Sequence, residues 1–191
     1  MKPGPATVHQ PPAQAAGWQD FYARRASSSG RYPTEWVVRT LAGGNYPALK
    51  LDKTLYRGAR ILDMGCGDGR NLPLLLDLGF QVSATEISLP LVEGLRALAA
   101  ALHWEVGFEV GSNAHLPYAD AAFDYMLCCS SCYYLDGTTT WASVRDELAR
   151  VARWQLRIGD QHVLGDRHQR HRAQVTQRVV GQLLHQRVVD R

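Results

Sequence analysis

The sequence predicts an α/β fold with a doubly wound, mostly parallel sheet. Two observations carry that expectation. Between residues 59 and 151, apolar runs of strand length alternate with segments of helical periodicity, the order of crossover units in a parallel sheet. The first apolar run also feeds directly into a turn with glycine at every second position, at the place where open parallel sheets collect ligands. A chain of 191 residues that is 46% hydrophobic and 20% charged has the length and composition of one domain with a buried core plus tails.

The elements follow in order. Residues 1–17 hold four prolines among Ala and Gln and read as a disordered lead-in. The domain is expected over 18–152, with 18–55 as a helical flap. Trp18, Phe21, Tyr22, Tyr32 and Trp36 gather there, and Thr34 stands where it caps a helix whose first turn holds Glu35. Residues 59–64 read as a buried strand, and 71–78 as a helix stopped by Gly79. A second strand is expected over 80–85, then a Ser88-capped helix to Leu102 with Pro90 in its first turn. The third strand is read at 105–110 and the fourth at 123–129. A helix over 139–151 places Trp141, Val144, Leu148 and Val151 at helical spacing.

The glycine turn is the most specific feature. Asp63 through Gly69 is written DMGCGDG, and three glycines so close together sacrifice backbone entropy with no side chain to pack in return. Bare backbone at Gly65 and Gly67 suits close approach of a ligand, and Gly69 opens a helix whose free N–H groups face the same crevice. Dinucleotide binders place their third glycine three residues after the second, and here that place is Arg70. A dehydrogenase is therefore disfavoured. Glu86 closes the second strand, where a carboxylate accepts charge-assisted hydrogen bonds from vicinal hydroxyls. With Asp63 it favours a cationic ligand over a pyrophosphate.

On these residues, and on Asn113-Ala114 with Leu116-Pro117 and Phe123-Asp124, the chain resembles the class I S-adenosylmethionine-dependent methyltransferases over residues 56–151. The resemblance implies S-adenosylmethionine as cofactor. It also implies cofactor contacts at Asp63, Gly65, Cys66, Gly67, Gly69, Asn71, Glu86, Ile87, Asn113 and Ala114, and methyl transfer to a small-molecule acceptor. Methyl transfer needs positioning above all, so no catalytic residue is assigned. Tyr22, Tyr32, Tyr133 and Tyr134 are acceptor-pocket candidates, with plain packing as the competing reading. His115 is read as an exposed or ring-stacked loop residue rather than a base. The Asn/Asp-Pro-Pro-Tyr signature of nucleic-acid amino methyltransferases is replaced by Cys128-Cys129-Ser130-Ser131, which disfavours nucleic acid as substrate.

Cys129-x-x-Cys132 lacks a second ligand pair at zinc spacing, so no metal is expected and the four cysteines are read as buried thiols of a cytoplasmic protein. No run is long and apolar enough to suggest a membrane span. After Val151 the composition changes. Residues 151–191 hold eight Arg, seven Gln and four His but no Lys, Phe, Tyr or Pro, and the Pro-Gly-Gly turn implied by the resemblance is missing. Three readings of 153–191 compete: an out-of-frame product, a basic nucleic-acid arm on a non-enzymatic module, and a solvated helix using Val175, Val179 and Leu183. Each leaves the sheet truncated after the fourth strand and its helix, with that strand as an edge, reduced stability and impaired activity.

Overall fold

The computed structural model describes residues 13–26, 31–43, 51–132, 135, 139–153 and 179–181. Helix α1 spans Ala13–Ala26 and α2 spans Glu35–Val37, continuing as a π turn over Val38–Ala42. The alternating part comprises β1 (Arg60–Met64), α3 (Leu72–Asp77), β2 (Gln81–Glu86), α4 (Leu89–Leu102), β3 (Val106–Val110), β4 (Tyr125–Cys128) and α5 (Trp141–Val151). A three-residue strand, β5 (Val179–Gly181), follows. All pairings are parallel and the strand order is β3-β2-β1-β4-β5. The chain thus reverses direction across the sheet between β1 and β4.

Strands β1 and β4 are buried on both sides because helices cover both of their faces. Ile61, Val82, Tyr125 and Leu127 pack with Leu72 and Leu75 of α3, Val92 and Leu95 of α4, and Val37 of α2. Leu62, Met64, Met126 and Cys128 pack on the other face against Val144, Leu148 and Val151 of α5. Tyr56, Phe80 and Tyr125 form an aromatic cluster on the first face, with ring centroids 4.6–5.5 Å apart. At the entry to α5, Thr140 and Ser143 cap reciprocally: each side chain accepts the other's backbone N–H. Asp124 ties β4 to β1, its Oδ2 accepting the Arg60 N–H at 3.0 Å.

Three expectations change. The lead-in read as disordered to residue 17 is helical from Ala13, since α1 begins before its aromatic cluster; residues 1–12 lie outside the described residues. Thr34 and Ser88 occupy N-cap positions, yet neither side chain makes a capping hydrogen bond. The sheet does not stop at β4: β5 pairs Met126, Leu127 and Cys128 with Val179, Val180 and Gly181, so β4 is not an edge there. Val179 accordingly belongs to a strand rather than to the solvated helix that its spacing suggests, because ladder pairing with β4 outweighs local periodicity. The remainder of the tail lies outside the described residues.

Candidate active site

A crevice of about 530 Å³ lies beyond the carboxyl ends of β1, β2 and β4, where the strand order reverses, with α1 contributing Trp18, Phe21 and Tyr22. Its size suits a nucleoside-sized ligand, and its place is where open α/β sheets collect ligands. The loop after β1 forms the floor. Gly65, Gly67 and Gly69 all adopt left-handed backbone angles, φ of 65°, 59° and 74°. The loop is fixed by the Cys66 N–H donating to Thr85 O at 3.0 Å and the Gly69 N–H donating to Cys66 O at 3.0 Å.

What occupies the space of each missing Cβ differs. At Gly65 a Cβ would lie 2.6 Å from Ser131 Cβ, in the loop after β4. Ser131 is buried and its hydroxyl donates to Met64 O at 2.5 Å, so it cannot retreat. At Gly69 the neighbours are Leu95 and Leu72, a packing requirement rather than a ligand one. At Gly67 the neighbour is the Tyr22 hydroxyl, 2.1 Å from the Cβ position, contributed by α1 and accommodated only by bare backbone. Sequence reasoning assigned close ligand approach to Gly65 as well, and missed Ser131 because nothing in the sequence links it to the loop.

Two buried carboxylates stand at the strand ends. Glu86, 6% exposed, accepts the Gly67 N–H on Oε2 at 3.0 Å and the Ile87 N–H on Oε1 at 2.8 Å. Each oxygen therefore keeps lone-pair capacity for a further donor. Burial raises its pKa and the two N–H groups pull it partly back. Asp63, 1% exposed, has neither oxygen hydrogen-bonded among the described residues. Burial first, then the Glu86 and Asp68 charges, push it up to about 7. A buried carboxylate without a partner is costly, and a ligand cation or donor reaching it would offset that cost. Burial and the Glu86 carboxylate also raise the Tyr22 hydroxyl, keeping it neutral.

The other sequence-selected residues divide. Cys66, Asn71, Ile87 and Asn113 line the crevice, as do Gly65 and Glu86; Asp63, Gly67 and Gly69 lie in or under the loop. Asn71 Oδ1 also accepts the Thr34 N–H at 2.9 Å, joining the flap to the glycine loop. Asn113 and Ala114 form the tip of a turn closed by reciprocal Ser112 and His115 backbone bonds at 3.1 Å, and Asn113 Nδ2 donates to Ser131 O at 2.8 Å. Tyr22 is in the crevice, whereas Tyr32 is 79% exposed and does not line it. His115 is exposed, and Tyr133 and Tyr134 fall outside the described residues. Trp18, Phe21, Arg70 and Ser130 line the crevice without having been selected from the sequence. The Trp18-Phe21-Tyr22 spacing was the available signal. Arg70 is held at 2.8 Å by Asp68.

Residues 61–155 match the model of a methyltransferase domain. These residues form a methyltransferase domain. The O-methyltransferase resE of Aspergillus sclerotiorum is 29% identical over 114 residues, covering 58% of this chain and 42% of the relative. A malonyl-[acyl-carrier protein] O-methyltransferase of Pseudescherichia vulneris is 38% identical over 68 residues, 36% of this chain and 26% of the relative. The chain therefore spans less than half the length of these curated relatives. Among solved structures, the PH0226 protein of Pyrococcus horikoshii OT3 superposes with a TM-score of 0.52 at 26% identity, over 70% of this chain and 60% of that one. A protein solved for the conversion of a disulfide bond into a thioacetal group during echinomycin biosynthesis shares the fold, with a TM-score of 0.55 at 20% identity over 73% and 56% of the chains. The matched segment of this methyltransferase domain contains the glycine loop, both buried acids and the whole of α5.

Proposed function

We propose that residues 18–152 bind S-adenosylmethionine in the crevice and transfer its methyl group to an oxygen of a small-molecule acceptor. The observation that carries the reading is the pair of buried acids beside the glycine loop, one of them without a partner among the described residues. Their chemistry fits the cofactor: Glu86 has free lone pairs for the two ribose hydroxyls, and Asp63 suits the ammonium end through loop amides or water. Asn113 and Ala114 are assigned to the adenine, Gly65, Cys66, Asn71 and Ile87 to the walls of the pocket, and Gly67 and Gly69 to the shape of the loop beneath it. Tyr22 is assigned to closing the pocket from α1.

When bound, the cofactor supplies an electrophilic methyl on a sulfonium. The residues of the chain orient the reactants and exclude water, a contribution that reaches ~7–11 kcal/mol in well-aligned systems. Both curated relatives are O-methyltransferases by name, which supports oxygen as the accepting atom. The described cysteines are free, which supports a reducing compartment such as the cytoplasm.

Titration calorimetry tests the cofactor assignment. One-to-one saturable binding of S-adenosylhomocysteine is expected, with no competing heat from NAD. Binding of NAD instead would return the site to the dehydrogenase class.

A further inference from the structure

The segment from Gly111 to Asp124 joins β3 to β4. Its first limb reaches the crevice at Gly111, Ser112 and Asn113, and its second limb, Leu116 to Asp120, lies on the end of α5. Two α5 side chains hold that limb by its backbone. Glu147 Oε1 accepts the Leu116 N–H at 2.6 Å. Arg150 Nη2 donates to Leu116 O at 3.0 Å, and Nη1 donates to Tyr118 O at 2.7 Å and to Asp120 Oδ1 at 2.8 Å. The guanidinium is itself oriented by Glu147, through Nε at 2.8 Å and Nη2 at 2.7 Å. The α5 backbone adds two more ties, Ala121 N–H to Arg150 O at 2.9 Å and Phe123 N–H to Val151 O at 3.0 Å.

An ion pair on a surface contributes little as a pair. Here the partners include both polar backbone groups of one residue and the carbonyl of another, so what is fixed is the path of a loop. Only a planar fork serves this set; an ammonium offers three donors from one point and cannot span two carbonyls and two carboxylates. Leu116, the residue so held, sits one place after His115, which closes the turn carrying Asn113 and Ala114.

We propose that Glu147 and Arg150 are positioning residues for the nucleoside base: by anchoring Leu116 and Tyr118 they hold the Asn113-Ala114 turn rigid and thereby set its selectivity for adenine. The proposal rests on the cofactor reading above. Adenine offers a donor at N6 and an acceptor at N1, and hypoxanthine reverses both. A rigid turn facing the wrong edge leaves polar groups unpaired, whereas a loosened turn readjusts, so loss of the anchor narrows the discrimination.

Affinities for S-adenosylhomocysteine and S-inosylhomocysteine test this in the full chain, for the wild type, Arg150→Lys and the milder Glu147→Gln, which retains an acceptor for the Leu116 N–H. The wild type is expected to prefer the adenosyl ligand by about tenfold or more. Arg150→Lys is expected to bring the ratio close to unity, with Glu147→Gln between, while amide exchange accelerates at Leu116 and stays unchanged in β1. A folded Arg150→Lys or Glu147→Gln protein with the wild-type ratio overturns the proposal. A wild-type protein that binds neither ligand overturns the cofactor reading on which it rests.

Discussion

Replacing Asp63 by Asn should remove a pH dependence of stability that the wild-type protein carries. The Asp63 carboxyl is 1% exposed, has no hydrogen-bond partner among the described residues, and is raised from 3.8 to about 7, by burial first and then by Glu86 and Asp68. A carboxyl whose folded pKa lies above its unfolded one binds more protons in the folded state. The contribution of this carboxyl to stability is therefore highest below about pH 4, falls as pH rises, and levels off above about pH 7. At ~1.4 kcal/mol for each pH unit the whole interval amounts to about 4 kcal/mol, of which more than half falls between pH 5 and pH 8. The amide of Asn has the same shape and no titration, and its own unsatisfied groups weigh equally at both pH values. Urea unfolding followed by circular dichroism at about pH 5 and about pH 8 isolates the titration of Asp63 together with the groups coupled to it, because titrations remote from Asp63 cancel between the two chains. The wild type should lose ~2–3 kcal/mol more than Asp63→Asn over that interval. Parallel stability curves would refute the reasoning, since they would mean that Asp63 is partnered or solvated. The same charge should make stabilisation by S-adenosylhomocysteine, whose ammonium compensates it, larger at the higher pH in the wild type only.

Further expectations concern the loop, the second acid and the tail. Glu86→Gln should weaken S-adenosylhomocysteine binding by about 10–100-fold in calorimetry, since a charge-assisted bond is worth ~1.5–3 kcal/mol and the amide turns its NH2 donor toward either the Gly67 or the Ile87 N–H. Gly65→Ala should destabilise more than Gly67→Ala, although both impose a left-handed φ costing ~1–2 kcal/mol, because Ser131 is immobile and Tyr22 belongs to a peripheral helix. Adding Tyr22→Ala should recover part of the Gly67→Ala loss and none of the Gly65→Ala loss in thermal unfolding. Deleting residues 154–191 removes β5 and opens the Met126–Cys128 edge; a lowered melting temperature and faster-sedimenting species are expected, and an unchanged melt would show that β5 contributes nothing.

The fold was legible because its signals are local. Residues 125–128 are an unbroken apolar run, residues 60–64 are broken only by Arg60 at the strand's start and Asp63 near its end, and Gly79 ends α3 with a positive φ that its sequence position announces. The two acids were legible because strand ends fix where Asp63 and Glu86 must emerge. What the sequence hid was long-range. Nothing near Gly65 reveals that Ser131 fills the space beside it, 66 residues later. Nothing in Glu147 or Arg150 reveals that they hold Leu116 rather than solvent. Residues 179–181 misled for the opposite reason: their helical spacing is local, and pairing with β4 overrode it.

A crystal structure of the complex with S-adenosylhomocysteine tests the central claim most directly. The account predicts the ribose hydroxyls within hydrogen-bond distance of the Glu86 carboxylate, the ammonium end on the Asp63 side of the glycine loop and the adenine against Asn113-Ala114. A nucleoside seated elsewhere, or a Glu86 carboxylate turned from the sugar, would contradict it.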